Sequence, residues 1–267
     1  MYICDATDYH SMDDEANRPI KALLTMDDIM TALESAGESN VTTLAEEIDR
    51  PRSVVHDYLS TLRQLGYVIQ NDRGAYELSL RYMELGGRVR DNVALYNVAK
   101  PEVNRLAEQS SSELVTLSVE QNGLCVALDV VQGEQSISYD FTDGTHFHMH
   151  SSAVGKAILA EYPAERVTEI LDRHGMPART ENTITDRDEL KDELEEIRKN
   201  GVSFDREEYR TGMTTISTVI EDSTGTVLGG LSVTGPVQRL QESDVEEELR
   251  NKLLSTTNII ELNYSAR

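Results

Sequence analysis

Residues 41–78 restrict the fold more tightly than any other stretch of this chain. They predict a short helix over residues 43–48, a turn, and a second helix over residues 52–65. Pro51 stands where a helix can begin, because proline fixes φ and needs no N–H there. Gly66 stands where a helix can end. Apolar residues recur every three or four positions in the second helix, which indicates one buried face: Val55, Tyr58, Leu59, Leu62 and Leu65.

Two short strands, over residues 67–70 and 75–78, follow that helix and are joined by a hairpin turn. Helix, turn, helix and β-ribbon form a winged helix-turn-helix, whose second helix enters the DNA major groove. The polar face of that helix and the wing are expected to contact DNA through Arg52, Ser53, His56, Ser60, Arg63 and Arg73. The alternative is a small helical subdomain without a DNA-binding role, and the polar face and the wing argue against it.

The charge balance is strongly acidic, with 48 acidic and 25 basic residues and a formal net charge of −23. Such a charge repels itself in the compact state, and molar salt removes that penalty by shortening the Debye length to about 3 Å. The acidic residues are spread along the whole chain, which favours a salt-loving source over an ordinary acidic protein. Residues 41–82 carry six acidic and five basic residues, so the predicted DNA-binding segment is close to neutral.

The remaining composition predicts a cytoplasmic protein. No stretch of 18 or more apolar residues is present, so no membrane span is expected. Residues 1–19 are polar and acidic, lack the pattern of a signal peptide, and are expected to be disordered or loosely ordered. Cys4 and Cys125 lie far apart, which makes a structural disulfide unlikely to form and fits a reducing compartment.

The rest of the chain predicts an α+β fold with a central antiparallel sheet. Thr25 to Asp28 reads as a capping box that starts a helix ending near Ala36. Residues 88–98 predict a linker helix that Pro101 interrupts. The sheet is expected from strands over 114–120, 124–131, 136–140, 214–221 and 226–234, and further helices over 151–161, 163–173, 187–199 and 243–264.

Several patterns offer candidate chemistry. His146, His148 and His150 alternate, which could place three metal ligands on one strand face, but a solvated or hydrogen-bonded row is the favoured interpretation. The helix start at residues 151–156 offers backbone N–H groups to a small anion, although Gly155 and Lys156 lack the rest of a phosphate loop. A triad of His150, Ser151 and Asp205 lacks a G-x-S-x-G motif, so hydrolysis is disfavoured.

Three segments together resemble the IclR family of transcriptional regulators across about residues 20–262. They are the winged-helix segment RSVVHDYLSTLRQLGYV, the segment HSSAVGKAILA, and the segment GVSFDREEYRTGMTTISTVIEDSTGTVLGGLSVTGP. The resemblance implies a loosely ordered N-terminus (1–19), a winged helix-turn-helix domain (20–86), a linker helix (87–100) and a GAF-like effector-binding domain (101–267).

The resemblance also implies partners and a site. The implied partners are a pseudo-palindromic double-stranded DNA operator, a second copy of the chain in a homodimer or a dimer of dimers, and a small organic effector, often a carboxylic acid. The effector would contact the backbone at Ala153 and Val154 and the side chains of Asp205, Thr215, Ser232 and Thr234. Asp57 replaces a common arginine and Val202 a common aromatic residue, and residues 215 and 234 vary among members, so effector identity does not transfer.

The sequence therefore predicts a non-enzymatic regulator without a cofactor, metal or catalytic residue. One alternative is an enzyme that carries an autoregulatory winged helix, and catalytic-type residues clustered in the pocket would favour it. The other is an architectural DNA-binding protein without an effector, which a filled apolar core would favour.

The charge balance generates a prediction about stability. Lowering KCl from molar to about 0.1 M lengthens the Debye length to about 10 Å and restores repulsion among the carboxylates. We expect the melting temperature, followed by circular dichroism, to fall across that series. A melting temperature that stays constant would contradict the halophilic interpretation and leave the family resemblance intact.

Overall fold

The computed structural model describes residues 18–110, 113–133, 141–240 and 243–267. Within these ranges the contacts divide the chain into two compact units, one ending at Asn92 and the other beginning at Val93. No helix in the described ranges is long and apolar enough to cross a membrane. The predicted strand over residues 136–140 and most of the predicted disordered N-terminus lie outside the described residues.

The first unit is a helix-turn-helix with a two-stranded wing. Its elements are α1 (Lys21–Ala36), α2 (Val41–Glu47), α3 (Arg52–Gln64), β1 (Val68–Gln70), β2 (Tyr76–Leu78) and α4 (Arg81–Asp91). The Asn40 side chain caps α2 by accepting hydrogen bonds from the N–H groups of Thr42 and Thr43. The strands β1 and β2 pair antiparallel. The apolar faces of the helices meet in one core that includes Ile29, Leu33, Leu44, Val55, Leu59 and Val68.

Two predicted details of this unit are wrong. Helix α1 begins at Lys21, a turn earlier than the capping box indicates, and Thr25 is buried within it. Residues 21–24 are strong helix formers, so the helix continues through the threonine instead of starting there. Leu65 follows the last helical residue and is 53% exposed, so it does not join the buried face of α3.

The predicted linker helix departs further from the structure than these two details do. Residues 88–98 do not form one helix: α4 ends at Asp91, and α5 (Ala94–Gln109) begins after a break. Pro101 lies inside α5 rather than at its end. A proline inside a helix costs about 3 kcal/mol because a hydrogen bond is lost. Val98, Ala99 and Val103 on both sides of it are buried, and this packing holds the helix together.

The second unit is built on a six-stranded antiparallel sheet in the order β5-β4-β3-β8-β7-β6. Its strands are β3 (Leu114–Gln121), β4 (Leu124–Gln132), β5 (His146–His148), β6 (Ser203–Arg206), β7 (Met213–Glu221) and β8 (Val227–Pro236). Its further helices are α6 (Ala153–Glu161), α7 (Ala164–His174), α8 (Arg187–Asn200), α9 (Val237–Leu240) and α10 (Ser243–Ser265). The α+β prediction and the predicted strands within the described ranges are confirmed.

Each face of this sheet packs against different helices. Val115, Leu117, Leu231 and Val233 belong to a core shared with α5 and α10. Successive strand residues point to opposite faces. The intervening residues, Thr116, Ser232 and Thr234 among them, therefore point to the other face, where α6 and α8 form a second core with Cys125, Phe147 and others.

The histidine row is not a continuous strand face. Strand β5 ends at His148, and His150 lies in the turn that leads to α6. The ring centroids of His148 and His150 are 5.6 Å apart at 90°. In the described ranges no group of three or more His, Cys, Asp or Glu residues has an arrangement that could hold a metal.

Candidate functional site

A small cavity lies between the start of α6 and the sheet of the second unit. The volume of the cavity that is open to the centres of water molecules is about 40 Å³. That is room for roughly three waters at 10–15 Å³ each. Its lining combines hydroxyls, aromatic rings and one carboxylate: Leu114, Thr116, Phe141, Phe147, Ser152, Ala153, Val154, Asp205, Tyr209, Thr215, Ser232 and Thr234. All six residues that the family resemblance indicates for an effector are among them.

The hydroxyl groups reach the cavity because they alternate with core residues along neighbouring strands. Thr215 and Thr234 are direct partners across β7 and β8, and their hydroxyl oxygens are 3.0 Å apart. The Ser232 hydroxyl donates to the carbonyl of Thr116 at 3.3 Å. The hydroxyls are therefore positioned by the sheet itself, and each keeps acceptor capacity for a further donor.

The start of α6 forms the opposite wall. Ser152 caps the helix, and its hydroxyl oxygen accepts from the N–H of Gly155 at 3.2 Å. The N–H groups of Ala153 and Val154 belong to the first turn, where no carbonyl of the helix can accept from them. A Cβ on Gly230 would lie 2.5 Å from a methyl carbon of Val154. Glycine at that position lets the helix start approach the sheet.

Asp205, on β6, supplies the one carboxylate found in the lining within the described ranges. One oxygen, Oδ1, accepts from the N–H of Glu208 at 2.6 Å and of Tyr209 at 3.2 Å. The side chain is 5% exposed. Burial and then the nearby Glu208 raise the pKa of Asp205 to about 7, although the two N–H groups and Lys156 oppose the shift. Asp205 can therefore change its ionisation near neutral pH.

A buried ion pair lies beside Asp205, and the sequence analysis missed it. The Lys156 ammonium is 2.5 Å from Oε1 of Glu208 and 3.3 Å from Oε1 of Glu193. Lys156 is fully buried on α6. Burial raises the pKa of Glu208, and the ammonium opposes that shift. A charged residue amid the apolar residues of α6 was the signal that could have indicated a buried partner.

Three aromatic rings on one side of the cavity were also missed. The ring centroids of Phe141 and Phe147 are 5.4 Å apart, those of Phe147 and Tyr209 6.0 Å, and those of Phe141 and Tyr209 6.3 Å. We call these three residues the aromatic wall. Phe141 and Phe147 are close in the sequence, but Tyr209 is far from both, so no local pattern could have grouped all three.

The triad drawn from the sequence makes other contacts. The Nε2 of His150 lies 3.1 Å from the carbonyl of Pro177, and burial lowers the pKa of His150 to about 4. The Ser151 hydroxyl donates to the carbonyl of His148 at 3.5 Å. Asp205 accepts from backbone N–H groups instead of an imidazole.

In the first unit the predicted DNA-contacting residues lie on the exposed side of α3 and on the wing. Arg52, Ser53, His56 and Ser60 are exposed. Two arginines are held by neighbours: Arg63 donates to Gln70 of β1 at 2.6 Å, and Arg73 donates to both oxygens of Glu38 at 2.7 and 2.8 Å. Arg73 must exchange its carboxylate partner for phosphate if it contacts DNA.

A winged helix-turn-helix in one compact unit and a sheet with its own cores in another define a two-domain DNA-binding regulator. Residues 28–72 match the IclR helix-turn-helix domain, and residues 88–261 match the domain described as bacterial transcriptional regulator IclR C-terminal. The chain belongs to the IclR family of transcriptional regulators.

The relatives are regulators as well. The chain is 30% identical to the probable HTH-type transcriptional regulator ArcR of Halobacterium salinarum, over 92% of this chain and 94% of that protein. It is similar to the IclR structure of Thermotoga maritima, with a TM-score of 0.78 and 28% identity over 92% and 97% of the two chains. An IclR homologue from Microbacterium hydrocarbonoxydans in complex with 4-hydroxybenzoate has the same fold, with a TM-score of 0.76 and 22% identity over 92% and 100% of the chains.

Proposed function

We propose that this chain controls transcription by binding an operator through α3 and a small organic effector in the cavity of the second unit. One observation carries the proposal: the six residues expected at an effector line a single cavity. N–H groups at a helix start favour a carboxylate, so the effector is proposed to be an organic acid. The complex of the Microbacterium homologue with 4-hydroxybenzoate supports such a ligand.

The polar lining favours this function over the two alternatives. An architectural protein would need no polar cavity in its second unit. A hydrolase would need a nucleophile hydrogen-bonded to a base, whereas among the described residues the Ser151 hydroxyl donates to the carbonyl of His148 and Asp205 accepts only from backbone N–H groups. Binding of an effector alters operator affinity only if the effector favours one of two arrangements of the protein.

The operator is proposed to be pseudo-palindromic, because helix α4 offers a surface to a second copy of the chain. None of its eleven residues is buried within the described chain. Leu80, Met83 and Val89, at or next to this helix, are 78%, 74% and 69% exposed. Apolar residues this exposed along one helix mark an interaction surface, and two-fold dimers are the commonest closed assembly.

The first prediction concerns the recognition helix. Replacing Arg52, Ser53 and His56 together by alanine should weaken operator binding, since each base contact contributes about 1–3 kcal/mol. Electrophoretic mobility shift with operator and with random DNA measures the loss. Arg187→Ala, an exposed arginine of the second unit, is the control. Unchanged operator affinity in the triple variant would overturn the assignment of α3.

The second prediction concerns the dimer. Met83→Glu places a charge on the exposed surface of α4 and should convert the dimer into a monomer in analytical ultracentrifugation. Leu262→Glu is the matched control, because Leu262 is 71% exposed on α10. The wild-type footprint should show half-sites one helical turn, about 10–10.5 bp, or a multiple apart. A wild-type monomer with a single half-site would contradict the proposal.

The third prediction concerns the effector. Ser232→Ala combined with Thr234→Val should remove two hydroxyls from the cavity and weaken the binding of an effector found among metabolites of neighbouring operons. Thr256→Val, which removes a buried hydroxyl of α10, should leave calorimetric affinity unchanged. Equal binding by the double variant would place the site elsewhere. An effector that binds without changing operator affinity would contradict the regulatory proposal.

A further inference from the structure

The cavity has an electrostatic character that a simple carboxylic acid does not match. Among the residues that the structure describes, Asp205 is the only charged one in its lining. Oδ1 of Asp205 accepts two backbone N–H groups, whereas Oδ2 has no hydrogen-bond or ionic partner among the described residues. Asp205 is only 5% exposed to solvent. An oxygen of a carboxylate that lines the cavity and has no protein partner can take a hydrogen-bond donor or a positive charge from the ligand.

The charges around Asp205 also favour a positively charged group on the ligand. The nearby ammonium of Lys156 serves two carboxylates already, Glu208 at 2.5 Å and Glu193 at 3.3 Å. With Asp205 ionised, one ammonium faces three carboxylates in this cluster. A second negative charge placed against Asp205 would add to that excess, whereas a positive charge would relieve it.

The aromatic wall supplies a second, independent feature. Phe141, Phe147 and Tyr209 line the cavity together with Asp205, and their ring centroids are 5.4 to 6.3 Å apart. The three rings pack against one another, and an aromatic ring that lines the cavity can attract a cation, including an alkylated ammonium, to its face. The chain already uses one of these rings in this way, because the guanidinium of Arg179 lies 4.5 Å from the centroid of Tyr209.

We propose that the ligand of this cavity is a small zwitterion, an amino acid or a betaine, with its positively charged nitrogen between Oδ2 of Asp205 and the aromatic wall. Its carboxylate points to the N–H groups at the start of α6, because the N-terminus of a helix favours an anion. This inference rests on the proposed function and narrows the organic acid to one that carries an ammonium group. The small volume of the cavity, about 40 Å³ for water centres, limits the ligand to a short carbon skeleton.

The test uses pairs of ligands that share a shape and differ in charge. Isothermal titration calorimetry on the full chain compares alanine with 2-methylpropanoate and glycine betaine with 3,3-dimethylbutanoate, in which carbon replaces nitrogen. Lactate and pyruvate test a hydroxyl and a carbonyl at the same position. At least one ammonium compound should bind about tenfold or more tightly than its carbon isostere, which lacks the positive charge.

Two variants locate the charge preference. Asp205→Asn keeps the shape of the side chain and should bring the affinities of the paired ligands together. Phe147→Leu should reduce the preference for glycine betaine while the chain stays folded. Asp172→Asn, an exposed carboxylate on α7 that pairs with Arg187, should leave the preference unchanged.

Proton exchange provides a readout that does not depend on a folded variant. Asp205 faces Glu208, Lys156 and Tyr209, and its pKa is raised to about 7, so it is partly protonated near neutral pH. A cation that binds beside it lowers that pKa and releases a proton, whereas an anion raises it and takes a proton up. Calorimetry in buffers of different ionisation enthalpy separates the two, and release is expected at pH 7.

The outcomes distinguish this inference from the proposed function. The zwitterion proposal would be overturned by tighter binding of the carbon isosteres, lactate or pyruvate, or by proton uptake. It would also be overturned if no ammonium compound bound at millimolar concentration. If one of those acids instead binds and alters operator affinity, the regulatory function stands. If an ammonium compound binds with proton release but operator affinity never changes, the ligand class is right and the regulatory function fails.

Discussion

The second unit depends on how closely the start of α6 approaches the sheet. Glycine at position 230 permits that approach, because a Cβ there would lie 2.5 Å from a methyl carbon of Val154. Gly155 lets the turn before α6 pack on the helix, because a Cβ there would overlap the backbone carbonyl of Met149. Interiors are packed at the density of crystals, so even one methyl group would move the helix. The approach brings helix N–H groups opposite the hydroxyls of β7 and β8, and it encloses the cavity.

The same approach places Lys156 of α6 where water cannot reach it. A buried ammonium is tolerated only with partners, and Glu208 and Glu193 provide them. Because the N–H of Glu208 also donates to Asp205, the ion pair and the cavity carboxylate form one connected network. A change in the cavity therefore acts on the contact between α6, α8 and the strand β6, which is a physical route by which a ligand can alter the second unit.

The first unit differs from the second in its electrostatics, because its exposed surface is the one proposed to meet the negative charges of DNA. A chain with a net charge of −23 is repelled by DNA phosphates, and molar salt weakens the attraction that arginines normally provide. The exposed side of α3 accordingly offers hydrogen-bonding groups such as Ser53, His56 and Ser60, while Arg73 and Arg63 are held by Glu38 and Gln70. The operator binding proposed for α3 would therefore depend on base contacts and shape more than on net charge.

The sequence by itself determined the local elements and the family. Periodicity in α3, the wing turn, and the strands β3, β4, β7 and β8 follow from side-chain patterns only a few residues long. Two local patterns misled: the helix propensity of residues 21–24 outweighed the capping box at Thr25, and packing holds Pro101 inside a helix. Only the tertiary structure decided that Lys156 pairs with Glu208, that Asp205 keeps one oxygen open, and that Phe141, Phe147 and Tyr209 share a wall. Lys156 and Glu208, and Tyr209 and the two phenylalanines, are separated by tens of positions, and their contacts exist only once the sheet and α6 have packed together.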